Sequence, residues 1–118
     1  MPKFLAVFTG SESSANQKKW EALDEKARGE REQAGMTAWM TWAKKNEAAI
    51  VEMGAPLGDT KQINREGISN ITNNLAAYTV VEAASHEAAA ELFLNHPHFM
   101  IFPGDGVELM ECLPIPGM

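Results

Sequence analysis

Two runs of this chain are apolar on both of their alternating faces, and that feature constrains the fold more than any other. Residues 3–8, Lys-Phe-Leu-Ala-Val-Phe, put Phe4, Ala6 and Phe8 on one side of an extended strand and Leu5 and Val7 on the other, before Thr9-Gly10-Ser11 ends the run. Residues 75–83, Leu-Ala-Ala-Tyr-Thr-Val-Val-Glu-Ala, are likewise apolar and carry the β-branched side chains of a central strand. Strands of this kind need a cover on each side of their sheet.

The remaining segments supply cover for one side. From about Ser14 to Gln33 the chain is helix-permissive and charged, with a thin stripe of Trp20, Leu23 and Ala27. Gly29 and Gly35 are poor interior helix residues and predict a break before Met36. A second helical stretch, about Met36 to Met53, repeats Met36, Trp39, Met40, Ala43, Ile50 and Met53 at three- and four-residue steps, with Gly54 as its C-cap and Pro56 barring continuation. Leu57 to Arg65 alternates weakly and reads as a strand with a wet or pocket-lining face. Glu66-Gly67 supplies a turn, and the polar stretch through Asn73-Asn74 is a loop or hairpin connection. Ser85 N-caps another helix with Glu87 in its first turn and Ala88, Ala89, Leu92 and Phe93 on its buried face, stopped by Pro97. Val107 to Leu113 alternates as a last strand, and the tail from Pro114 to Met118 is extended.

The order β, α, β, β, α, β predicts an α+β fold of the ferredoxin-like βαββαβ type, a four-stranded antiparallel sheet with its helices on one face. Two helices leave the other face bare. The expected solution is a homodimer in which two sheets pack face to face as a dimeric α+β barrel, with a cavity between sheet and helix near the barrel mouth.

At 118 residues, 45% hydrophobic and 22% charged, the chain reads as a single globular domain over residues 1–118. No apolar run approaches the roughly 18 residues that span a bilayer, and the N-terminus reads as a strand rather than a signal peptide. The single Cys112 can form no internal disulfide, which points to the cytoplasm. A net charge of -6, with Lys18, Lys19, Lys44, Lys45, Lys61 and Arg65 scattered, argues against nucleic acid as a partner, and no membrane partner is expected.

PKFLAVFTG at the start, Trp39-x-x-Trp42, Gly-Ala-Pro-Leu-Gly at 54–58, Tyr-Thr-Val-Val-Glu-Ala at 78–83, His-Pro-His at 96–98 and the closing Met-Glu-Cys-Leu-Pro-Ile-Pro-Gly-Met together resemble the YCII-related proteins. The resemblance spans nearly the whole chain and implies a small dimeric α+β barrel. Characterised relatives carry a His on the first helix with an Asp nearby as a proposed catalytic pair. No His stands in the first helical region here, so that pair is not carried over.

The strongest local candidate for chemistry is His96 and His98 around Pro97. His96 continues the apolar face of Ala89, Leu92 and Phe93, so its ring should point inward as a base or ligand, against the alternative of a helix-ending imidazole bonded to backbone. A metal site lacks a third ligand unless Glu108 or Glu111 gives an oxygen, so neither metal nor cofactor is expected. Glu47, with Asn46, falls in the arc of Met36, Trp39, Met40, Ala43 and Ile50 and would serve as a general acid or base if it faced a cavity; otherwise it reaches water. Trp39, Trp42 and Tyr78 are candidates for a flat pocket wall or, more simply, for core. His86 reads as exposed in the first turn of its helix, and Cys112 as a buried small hydrophobe. Neither a phosphate-binding glycine loop nor a Gly-x-Ser-x-Gly elbow occurs. Two functions follow. One is a small-molecule enzyme with lyase- or isomerase-like proton transfer at the dimer cavity, using His96, His98 and Glu47; the other is a noncatalytic ligand-binding or accessory dimer.

Overall fold

The computed structural model describes residues 1–117; Met118, the last residue of the expected tail, lies outside them. Strand β1 (Lys3–Thr9) is followed by helices α1 (Ala15–Glu21) and α2 (Glu25–Lys45), strands β2 (Ile50–Pro56), β3 (Thr60–Asn64), β4 (Gly67–Ile71) and β5 (Leu75–Glu82), helices α3 (His86–Glu91) and α4 (Pro97–Met100), and strand β6 (Gly106–Glu111). The main sheet has the order β2-β5-β1-β6, antiparallel throughout. That is the predicted ferredoxin-like arrangement, with the β3–β4 hairpin inserted between its second and third strands.

The register explains the core. Phe4, Ala6 and Phe8 stand opposite Val81, Thr79 and Ala77 of β5, and Ala6 and Phe8 opposite Leu109 and Val107 of β6, all on the helix side. Phe4, Ala6, Phe8 and Val81 are essentially inaccessible, and Trp42, Ala89 and Phe93 close over them from the helices. Leu5, Val7, Val80 and Met110 point to the opposite side, where no helix lies; the first three stay half-buried and Met110 is exposed.

Several expectations are corrected. The first helical region breaks at Asp24, not before Met36. Asp24 N-caps α2 by accepting from the Ala27 N–H at 2.7 Å, and Ser14 caps α1 in the same way. Gly29 and Gly35 lie inside a continuous α2. Gly35 is required there by packing, since a Cβ would stand 2.5 Å from Phe102 Cε2. The helix also ends earlier than Met53: Asn46 caps it, bonding the Trp42 carbonyl through both its backbone N–H and its side-chain Nδ2. Ile50 to Met53 then enter β2, so apolar residues that continue a helical spacing are in fact strand.

Gly54 is no helix cap. It adopts φ +76° where the β2–β5 register shifts, and a Cβ would collide with the Tyr78 carbonyl. The strand expected at Leu57 to Arg65 shortens to β3 and pairs with β4 alone, outside the main sheet. The Val107–Leu113 strand stops at Glu111, leaving Cys112 exposed rather than buried.

Candidate active site

The segment after α3 builds the site. α3 ends at Glu91, and Asn95 turns the chain with φ +58°. His96 then N-caps α4, with Pro97 in the first turn. Pro97, expected to stop the preceding helix, instead starts this one, since α3 has already ended at Glu91 with Leu92 as its C-cap. The His96 Nδ1 accepts the His98 N–H at 3.0 Å, which leaves the proton of the neutral ring on Nε2.

His96 is fully buried among Phe8, Trp39, Trp42 and Phe93. Trp39 lies almost perpendicular to it at 4.5 Å and Trp42 at 4.6 Å. Its Nε2 is buried without a hydrogen-bond partner. Burial is the main cause, with the neighbouring His98 second, of a pKa depressed from 6.5 to about 4. Burial thus favours the neutral imidazole, and the ring caps the turn that follows.

His98 is held differently. Its Nε2–H donates to the Thr9 carbonyl at 2.7 Å, and the same carbonyl accepts the Asp105 N–H at 2.8 Å. Thr9 terminates the two-faced β1, so the central strand fixes the imidazole's tautomer and aim. Gly104 presses on the ring so closely that a Cβ would collide with its Nε2, Cε1 and Cδ2, and the Gly104 N–H donates to the His98 carbonyl at 2.9 Å. Nδ1 is left unprotonated, with no protein hydrogen bond among the described residues. Burial lowers the His98 pKa, against the opposing pull of the Thr9 hydrogen bond and the Asp105 charge, so the neutral base predominates near pH 7.

His98 lines a cavity of about 420 Å³ between α2, β2 and β5. Met36, Trp39 and Met40 of α2 form one wall, Met53 to Pro56 of β2 and Ala76 to Thr79 of β5 the other, and Phe102 closes one end. The bulge at Gly54 lets β2 curve around this space. Met36, Met40 and Met53 are 57, 65 and 41% exposed, so the cavity that His98 lines has an apolar and deformable rim.

Of the expected pocket residues, Trp39 joins His98 on this wall. Trp42 does not: it is buried on the core side, with its Nε1–H donating to the Leu92 carbonyl at 2.7 Å. Tyr78 borders the cavity, but its hydroxyl donates to Glu52 Oε1 at 2.6 Å, and the carboxylate raises the phenol pKa first by that bond and then by its charge. Glu47 lies beyond the helix in the exposed turn after Asn46 and does not line the cavity, because α2 ends before reaching it. His86 is exposed, as expected, and bonds the Leu109 carbonyl at 2.9 Å. Neither Glu108 nor Glu111 joins the histidines; among the described residues no three His, Cys, Asp or Glu side chains converge as metal ligands. No helix among those residues is long and apolar enough to cross a membrane.

Sequence reasoning missed Thr9, Gly104, Met36, Met40 and Phe102. The signal that pointed to one of them is the Gly104-Asp-Gly106 turn, where the first glycine lies against an imidazole six residues earlier.

Fold and site together define a ferredoxin-like α+β domain with an apolar helix–sheet cavity and one oriented histidine. No protein-family model and no curated protein matches the chain. Among solved structures, it is similar to 5-chloro-2-hydroxyhydroquinone dehydrochlorinase from Burkholderia phenoliruptrix AC1100, in complex with 2,5-dihydroxybenzoquinone. The TM-score is 0.53 and the identity 13%, over 94% of this chain and 93% of that one. At that identity the likeness shows a shared fold.

Proposed function

We propose that this chain is a YCII-like small-molecule enzyme that acts as a homodimer, binding a compact, planar oxygenated ring in the α2–β2–β5 cavity and moving a proton with His98. The observation that carries the proposal is the His98 imidazole, held by the Thr9 carbonyl with Nδ1 left as a free base beside an apolar cavity. A neutral imidazole there takes a proton from a weakly acidic carbon or hydroxyl, and the imidazolium so formed attracts the anion left behind. Lyase- and isomerase-like reactions both need this step. Trp39 offers a flat wall for a ring, and the structural neighbour, an enzyme, binds a planar oxygenated ring. His96 acts as the support for His98 rather than as a second base.

The bare face of Leu5, Val7, Val80 and Met110 supports the homodimer, since an apolar sheet face of this kind is covered in a stable protein. The reading keeps the protein as one domain over residues 1–118 in the cytoplasm, where the exposed thiol of Cys112 stays reduced.

One observation favours the second reading, a noncatalytic ligand-binding or accessory dimer. Of the cavity's titratable side chains, Tyr78 is tied to Glu52 and only His98 is free, whereas acid–base catalysis ordinarily uses two groups. Calorimetry and turnover with 2,5-dihydroxybenzoquinone and chlorinated hydroxyhydroquinones separate the two. For the enzyme, His98→Gln abolishes turnover and leaves binding within a few-fold. Binding without turnover in the native chain supports the accessory domain, and failure of every planar ring to bind overturns the ligand class.

A further inference from the structure

The β3–β4 hairpin has no use in the function proposed above. It leaves the main sheet after Pro56 and returns at Leu75, and its residues pack chiefly on one another. Ile63 and Ile68, a cross-strand pair, are each 73% exposed. A lone two-stranded hairpin is marginal in water, so an exposed apolar pair near its tip signals a partner. The radius of gyration, 16.3 Å against roughly 13.5 Å for a compact chain of this length, and a longest extent of 54 Å describe an arm standing away from the body.

The two unpartnered surfaces of the chain match each other. Alternation puts Lys61 beside Ile63 on one face of the hairpin, with Ile68 and Asn70 opposite them and Arg65 at the turn. The bare face of the main sheet is apolar with a net negative border: Leu5, Val7, Val80 and Met110 are flanked by Glu52, Glu82 and Glu108 against the single cation Lys3. Size points the same way. Four strands about 4.8 Å apart and about 20 Å long present a flat face on the order of 400 Å². Each partner in a stable interface buries roughly 800 Å² of accessible surface, and an arm laid beside a face of this modest span adds to what the sheets bury.

We infer that the hairpin is an arm that clasps a second copy of this chain, laying Lys61, Ile63 and Ile68 on the rim of the other copy's open sheet at Met110 and Glu108. The inference rests on the homodimer of the proposed function and adds the element that holds it. Its roots, Pro56 and Ala76, are also walls of the His98 cavity, so clasping steadies the cavity mouth.

Sedimentation equilibrium of the full chain at micromolar concentration tests it, with circular dichroism confirming that each variant is folded. The native chain is expected to be a dimer. Ile63→Asp with Ile68→Asp should weaken it a hundred-fold or more without lowering the monomer's helix content. Lys61→Glu and Glu108→Lys should each weaken it several-fold and together restore it. If Val80→Asp, on the sheet face, yields a monomer while the double isoleucine variant keeps native affinity, the arm is overturned and the dimer stands. A native chain that is monomeric overturns both.

Discussion

The backbone N–H of His98 donates to the Nδ1 of His96 at 3.0 Å, so one imidazole caps the turn that presents the other. Of the two histidines expected to work as a pair, His96 is buried in the core and His98 lines the cavity; in the proposed function the first gives the support and the second moves the proton. Replacing His96 by Ala removes the cap and empties an aromatic-lined space, at a cost of about 3 kcal/mol in urea unfolding. His96→Asn keeps a capping side chain and should recover about 1 kcal/mol of that loss.

Acid should loosen this region before the carboxylates titrate. His96 has a folded-state pKa of about 4 against 6.5 unfolded, so the unfolded chain binds the extra proton between those values and stability falls as pH drops through that window. The full effect, up to about 3 kcal/mol, is reached below pH 4. Urea midpoints at pH 7 and 4.5 measure it, and His96→Leu should give a visibly shallower slope.

Gly104→Ala places a methyl group where the His98 ring lies. The imidazole must swing away from the Thr9 carbonyl, so ligand affinity and any turnover should fall at least ten-fold. A ligand titration beside a thermal melt shows whether function suffers more than stability.

The two tryptophans should separate by the same pair of measurements. Trp42→Phe loses a buried hydrogen bond to the Leu92 carbonyl and should cost roughly 1 to 2 kcal/mol of stability with ligand affinity unchanged. Trp39→Ala removes the flat wall beside His98, and affinity for a planar ring should fall ten-fold or more.

The sheet was legible because the runs at Phe4–Phe8 and Leu75–Glu82 are short, apolar on both faces and, in the second, β-branched, and Ser85 announced α3 through its hydroxyl. The boundary between α2 and β2 was not. Met36, Met40, Ile50 and Met53 fit one helical stripe, and only the side chain of Asn46, turning back to the Trp42 carbonyl, ends it. That misplacement carried Glu47 onto a helix face it does not occupy. His98 could be nominated from its neighbours in sequence, but its orientation depends on Thr9, 89 residues away, a contact that no local spacing encodes.

Imidazole nitrogen NMR of His98, recorded at pH 7 with and without 2,5-dihydroxybenzoquinone, tests the central claim most directly. The account predicts a neutral ring protonated at Nε2, with the ligand shifting the Nδ1 resonance strongly and leaving His86 unmoved. A ring protonated at Nδ1, or a bound ligand that leaves the His98 nitrogens unchanged, would contradict it.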